Sequence, residues 1–357
     1  MRVGILSYPM LFQREGGLQI QVRETIAALN GLQGSALRPL TVELVNPYST
    51  RLNSYDLIHV FAAINGNYRI VEAASELAVP VVLSPLLSPG WNRANGFCAR
   101  LADRLAGRLT AWNVQTSYAQ TKRALQLSQI VIALGAAERE AIMAAFAIAD
   151  SKIRVLPNGI NPQFFSARPE LFRASSGLRR PFVLMCGAIS PYKNQLGLVQ
   201  ALSSTGLELV LIGSCQRQDQ PYLQEVMRHP RVRWLGQMEH GDPMLASAYA
   251  AAAVLALPSQ GEVMPLAVLE ALAAGTPAVV TRQSALQLPD SAFCVKPVPW
   301  NDSAAICRAV TALIASEPDR AAVRALVKDL SWQQVAMQIA QIYFRLVPAR
   351  KVAAHAV

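Results

Sequence analysis

The sequence predicts an α/β protein of two doubly wound domains facing each other across a cleft. Three observations lead there. The chain has 357 residues, 52% apolar and 16% charged. That is more than one hydrophobic core usually serves, and it excludes a disordered chain. Short runs rich in Val, Ile and Leu alternate with longer amphipathic stretches, and the whole pattern occurs twice. A break rich in Pro, Gly and Ser at 157–181 separates the two occurrences and reads as a linker.

In the first half, strands are expected at 2–7, 41–45, 56–61, 80–84, 129–134 and 153–156, with helices at 17–30, 68–78, 94–109, 112–126 and 136–147. In the second, strands are expected at 182–186, 208–212, 231–235, 253–257, 277–281 and 292–296, with helices at 193–204, 219–228, 242–252, 265–274 and 302–315. Short, near-continuous apolar strands are those of a parallel sheet buried on both faces. Strand–helix alternation implies right-handed crossovers between them. A last helix over 331–347 has Ser331 as its expected N-cap. The domains are therefore 1–160, a linker at 161–180, 181–330, and a C-terminal segment 331–357 returning to the first domain. Ligands of open α/β sheets bind beyond the carboxyl ends of the strands, so two facing edges make a deep site.

Several function classes drop out. Five scattered cysteines without a CxxC pair, and four histidines without ligand spacing, predict neither a disulfide framework nor a zinc site. Reduced thiols in a cytoplasmic protein are expected instead. No apolar run reaches the ~18–20 residues of a membrane span. The opening MRVGILSYPM reads as a first strand rather than a signal peptide. The net charge of +10 divides evenly between the halves, so it names no partner beyond favouring anionic ligands or surfaces.

The strongest chemical signal is PSQGEVMPLAVLEALAAGTP, residues 258–277. A strand ends, small residues follow, and Pro265 suits a helix start because no amide bond is lost there. The helix amides from about Leu266 onward aim the positive end of the dipole at the cleft, which suits a phosphate. Glu262 lies before this helix and Glu270 eight residues on. Were both helical, they would stand about 12 Å apart. An acid/nucleophile pair acting on one glycosidic bond needs about 5 Å. Two separate acceptors fit better, one for sugar hydroxyls and one for a ribose.

With these residues in view, the segment resembles the E-x7-E region of the family-4 retaining glycosyltransferases, which have the GT-B fold of two Rossmann-like domains. Val263, Met264 and Pro265 after the first glutamate are close to the family's E-G-x-P-L variant. The resemblance implies that Glu262 contacts the donor sugar and Glu270 the nucleotide ribose, with Met264, Pro265 and Leu266 beside the donor. Three further stretches agree. FVLMCGAISPYKNQLGLVQAL (182–202) resembles the G-R-x-x-x-x-K diphosphate clamp, with Gly187 and Lys193 in place and Ala188 where the arginine usually stands. IRVLPNGINPQFF (153–165) resembles the family's hinge, with Asn161 replacing its aspartate. VRWLGQMEHGDPMLASAYAAAAVLALPS (232–259) resembles the loop that holds the base, around Gly236, Gln237 and Met238. Gly16-Gly17 opens the first helix without the dinucleotide G-x-G-x-x-G pattern, and resembles the family's glycine pair beside the donor phosphates.

The family's cleft histidine after the fourth strand is missing from VVLSPLLSPGW (81–91), which leaves His59 as the first domain's only histidine and a candidate catalytic residue. In 97–109, Arg100, Arg104 and Arg108 recur beside Phe97, Leu101, Leu105 and Leu109. Such a helix is either an ordinary solvated face or a peripheral contact with an anionic membrane. The resemblance implies transfer of a hexose-type sugar from a nucleotide diphosphate sugar, with UDP or GDP as carrier, to a glycan or lipid-linked glycan in polysaccharide or glycoconjugate biosynthesis. It implies retention of configuration and no cofactor or catalytic metal, and the sequence has no DxD-like pair. Glu262, Lys193 and His59 are the expected catalytic residues; no nucleic-acid partner is expected. The alternatives are a nucleotide-sugar 2-epimerase-like enzyme and a catalytically silent relative that binds a nucleotide sugar.

Overall fold

The computed structural model describes residues 1–13, 16–32, 39–111 and 114–348. The first half runs β1 (Arg2–Leu6), α1 (Gly17–Asn30), β2 (Thr41–Leu44), β3 (Leu57–Phe61), α2 (Tyr68–Glu76), β4 (Val81–Ser84), α3 (Arg93–Leu109), α4 (Ser117–Leu127), β5 (Ile130–Ala133), α5 (Ala136–Phe146) and β6 (Ile153–Val155). Two short helices follow, α6 (Pro162–Phe165) and α7 (Glu170–Ser176). The second half runs β7 (Phe182–Cys186), α8 (Gln195–Leu202), β8 (Glu208–Ile212), α9 (Gln220–Val226), β9 (Val232–Trp234), α10 (Pro243–Ala251), β10 (Val254–Leu257), α11 (Leu266–Ala273), β11 (Ala278–Thr281), β12 (Val295–Val298), α12 (Ser303–Ser316) and α13 (Arg320–Ala325). Helix α14 (Trp332–Leu346) closes the described chain.

Each half forms one six-stranded, all-parallel sheet. The first has the order β2-β1-β3-β4-β5-β6, the second β12-β11-β10-β7-β8-β9. Strands β3, β4, β7, β10 and β11 are buried along their whole length, as strands covered on both faces must be. Strand order reverses between β1 and β3 in one lobe and between β7 and β10 in the other. Those two switch points are where such sheets open a crevice beyond their carboxyl ends. Helix starts follow local chemistry. Asn92, Thr116, Asp242, Asp302, Asp319 and Ser331 each accept an amide of their own first turn.

Three sequence expectations need correction. The segment 157–181 is more than a linker: α6 and α7 bury Phe164 and Phe172 in the core of the second lobe and pack on α10. Burial of two aromatic rings holds helices that are too short to stand alone in a segment broken by Pro and Gly. The final strand lies at Val295–Val298 rather than 292–296, because Ser291–Phe293 forms a tight turn first. Pro297 is tolerated because β12 is an edge strand. Lys193 precedes its helix instead of standing on it. The helix expected at 112–126 starts only at Ser117, where the Thr116 side chain caps it; residues 112–113, and 349–357 of the C-terminal segment, lie outside those described.

Helix α14 crosses back to the first lobe. It packs on α1 and contributes Val335, Ala336, Ile339, Ala340 and Tyr343 to the core built on β1, β2 and α1. Its start passes against the segment leaving β6: Ile160 donates to the Leu330 carbonyl at 2.8 Å. A Cβ on Gly159 would stand 2.5 Å from Trp332 Cα, so only glycine lets the two crossing segments touch. Among the described residues, no helix is long and apolar enough to cross a membrane.

Candidate active site

Two loops meet at the switch point of the second sheet. One follows β7 and carries Gly187 to Asn194; the other follows β10 and carries Pro258 to Pro265. They are stitched by backbone and side chains alike. Gln260 donates its amide to the Tyr192 carbonyl at 2.9 Å, and the Tyr192 hydroxyl donates to the Gly261 carbonyl at 2.8 Å. Asn194, in the left-handed region at φ 64°, sends its side-chain amide to the Pro258 and Trp300 carbonyls at 3.1 and 2.7 Å. Lys193 is thereby held beside Glu262, with Nζ 2.6 Å from Oε1 and both side chains mostly buried. Burial and the nearby Glu262 carboxylate raise the Tyr192 pKa.

Close approach of the strand ends underlies this geometry. Gly187 and Gly213 both hold φ near +155°, and a Cβ on Gly213 would overlap the Gly187 carbonyl. Gly236, at φ 74°, accepts the Gly213 amide at 2.8 Å and starts the loop carrying exposed Gln237 and half-buried Met238.

Helix α11 starts one residue later than expected. Pro265 is its N-cap, in extended conformation and without a side-chain bond to the first turn. Leu266 and Ala267 supply the leading amides. The tip of this helix faces that of α1: a Cβ on Gly17 would sit 3.9 Å from a Leu266 methyl, and one on Gly16 meets nothing within 4 Å. Two positive helix ends thus converge across the cleft, a setting that favours an anion. Asn158, in the segment leaving β6, holds the approach to α11 by donating to the Met264 carbonyl at 3.1 Å. A carbon added to Gly261 would come 4.0 Å from Ser88 Oγ of the first lobe, so the cleft is narrow there.

Glu262 lies in the loop, outside the helix, whereas Glu270 is buried on α11. Glu270 accepts from the Tyr249 hydroxyl and from His240 Nε2, both at 2.8 Å. The two carboxylates therefore have different surroundings, one paired with a lysine and one held by neutral and imidazole donors. Sequence reading missed Tyr192, Asn194 and His240. The first two stand inside the stretch that resembles the diphosphate clamp, which was their only signal.

His59 is not a cleft residue. It is fully buried, with Nδ1 2.6 Å from the Tyr343 hydroxyl and Nε2 2.9 Å from Ser84 Oγ. Its ring stacks on Phe61 at 4.3 Å. Burial lowers its pKa to about 3, so it stays neutral. Its place in the middle of β3, beneath α14, makes it a structural histidine.

The fold and site define a class: two facing Rossmann-like α/β domains, as in GT-B glycosyltransferase structures. Residues 180–316, the lobe carrying Lys193, Glu262 and Glu270, match the family model described as Glycosyl transferases group 1. A phosphatidyl-myo-inositol mannosyltransferase of Mycobacterium leprae is 31% identical over 207 residues, 53% of this chain and 52% of its own. The chain spans about half or less of the length of the curated relatives it matches. Sucrose-phosphate synthase of Thermosynechococcus elongatus superposes with a TM-score of 0.70 at 20% identity, covering 97% of this chain and 98% of that one. Anabaena HepE in complex with UDP and glucose superposes with a TM-score of 0.63 at 19% identity, covering 96% and 99%.

Proposed function

We propose that the chain is a glycosyltransferase that moves a hexose-type sugar from a nucleotide diphosphate sugar to a hydroxyl of a glycan or lipid-linked glycan. Transfer retains the anomeric configuration and uses no catalytic metal. The observation carrying this reading is the Lys193–Glu262 pair, 2.6 Å apart, beside the uncapped start of α11 and within the matched segment. In the reaction, the acceptor hydroxyl oxygen bonds to the anomeric carbon as the bond from that carbon to the β-phosphate oxygen breaks. The diphosphate leaves with the electron pair, and the departing phosphate takes the acceptor proton on the same face.

Lys193 and the leading amides of α11 and α1, with Gly16 and Gly17, meet the growing charge on the diphosphate. Gly187 leaves room for it. Charge stabilisation by groups already in place is often the largest catalytic contribution. Glu262 takes sugar hydroxyls, Glu270 the ribose, and Gly236, Gln237 and Met238 the base; Met264, Pro265 and Leu266 line the donor. UDP is favoured by the neighbour that holds it, and GDP is the second choice. The name of the mycobacterial relative supports a hexose and a lipid-linked acceptor.

The reading extends to a cytoplasmic protein that touches the inner face of a membrane through α3. This helix is turned inside out. Gly96, Ala99, Ala106 and Gly107 face the lobe, while Phe97, Leu101, Leu105 and Leu109 are 62, 50, 53 and 86% exposed. Arg93, Arg104 and Arg108 are exposed alongside. Large apolar side chains in water with arginines beside them suit an anionic bilayer.

Thermal-shift screening with UDP-, GDP-, ADP- and dTDP-sugars tests the donor, since a ligand that prefers the folded state raises the melting point. Turnover is then measured with and without acceptor. Glu262→Ala is expected to lower kcat by about a hundredfold or more with folding intact. Near-normal turnover would remove its assigned role. Conversion of the donor without acceptor would identify a 2-epimerase-like enzyme, and binding without turnover a silent relative.

A further inference from the structure

His240 has no part in the site as read from sequence, yet its ring lies between carboxylates of both lobes. Nε2 is 2.8 Å from Glu270 Oε1 on α11, and Nδ1 is 3.5 Å from Glu24 Oε1 on α1. Phe164 of α6 lies against the ring at 5.4 Å between centroids. Gln163 Nε2 of the same helix donates to the His240 carbonyl at 2.6 Å. The groups that face the imidazole are thus Glu24 from α1 and Glu270 from α11. Behind Glu270 stand the Tyr249 hydroxyl of α10 and the Cys186 thiol of β7.

A neutral imidazole has one N–H and one lone pair. With a carboxylate at each nitrogen, it would turn that lone pair toward a negative charge. The imidazolium donates on both sides. Burial lowers the pKa of His240, but hydrogen bonds to Glu24 and Glu270 outweigh it and raise the value to about 9.

We propose that His240 is a positioning residue: as an imidazolium it holds Glu270 in place for the donor's ribose and ties that carboxylate to α1 across the cleft. The ribose half rests on the glycosyltransferase reading; the tether between the lobes rests on geometry alone. A carboxylate oxygen has more than one acceptor site, so Glu270 can serve His240 and a ribose hydroxyl together. Loss of the proton turns a lone pair on one of its neighbours, and both the ribose acceptor and the spacing of α1 from α11 then loosen.

Titration of the histidine C2–H signals by NMR, on the full chain, tests the tether. The His240 signal is expected to move with a midpoint near 9, and Glu24→Gln, at a partly exposed partner, to lower it. A wild-type midpoint near the ordinary 6.5, or one unchanged in the variant, overturns the tether. Calorimetry with UDP and GDP on either side of the midpoint tests the ribose half. Affinity is expected to fall about tenfold above it, the size of one charge-assisted hydrogen bond. His240→Ala should bind weakly at every pH, and His240→Gln, which keeps one donor, should recover part of the loss. In turnover, the donor KM should rise more than kcat falls. Nucleotide affinity that is flat with pH in the wild type overturns the ribose half. So does the absence of any nucleotide binding, which also counts against the glycosyltransferase reading and leaves the tether to be judged by the titration.

Discussion

A single methyl group placed on Gly213 would overlap the Gly187 carbonyl, at the strand end from which the Lys193 loop departs. Backbone on backbone cannot yield as a flexible side chain can. Gly213→Ala is therefore expected to cost about 1–3 kcal/mol in strain at a φ that L-residues avoid. A lowered denaturation midpoint would register it, and an unchanged midpoint would mean that the two strand ends are looser than described. At this scale the sequence was partly legible. Of the residues the sequence singles out by their spacing along strand, loop and helix, Lys193 and Glu262 stand side by side and Glu270 is buried on the helix that follows. The histidines could not be read in this way. The Tyr343 partner of His59 lies 284 residues along the chain, and the Glu270 partner of His240 lies 30 along. Which histidine is buried and neutral, and which is clamped between acids, depends on contacts that no local pattern encodes.

Among the elements, strands were the most legible, because a parallel strand covered on both faces is a short apolar run bounded by polar residues. β7 and β8 have the expected limits, and most others lie within a residue or two. Helices α6 and α7 escaped because four and seven residues are too few for a period, and tertiary burial of Phe164 and Phe172 holds them. Helix α3 shows the opposite case. Its period was clear, but which side faces the lobe was not. Glycine decides it: a Cβ on Gly96 would stand 2.6 Å from the Ala145 carbonyl of α5. The large residues are therefore left outside. Full burial of one such side chain is worth about 1.5–3 kcal/mol, and each arginine near an anionic surface about 1 kcal/mol. Leu101→Ser with Leu105→Ser should reduce sedimentation with phosphatidylserine vesicles about tenfold or more, with thermal unfolding unchanged. Added salt should weaken wild-type binding. Equal sedimentation of variant and wild type, or indifference to the lipid charge, would sink the membrane reading.

At the level of the whole molecule, the two lobes are not independent in sequence order. Five residues of α14, the last described helix, complete the core of the first lobe, and Tyr343 covers His59. A chain ending at Ser331 would open that core while leaving the second lobe whole. Denaturation of such a truncated chain should separate into two transitions, the first lobe unfolding earlier. One cooperative transition at the wild-type midpoint would show that α14 adds little. The two-lobe plan was readable from the doubled strand–helix pattern. How the lobes meet was not, because Gly17 with Leu266, Glu24 with His240 and Asn158 with Met264 are pairings across more than a hundred residues.

The polypeptide passes between the lobes twice, at 157–160 and at 330–331, and the two passages lie hand in hand through the Ile160–Leu330 bond and the Gly159–Trp332 contact. Two parallel cords fastened at one spot resist sliding and twisting but leave bending free. An opening of the cleft is therefore expected to turn about that one line, with the widest travel at the far rim and the least beside Asn158.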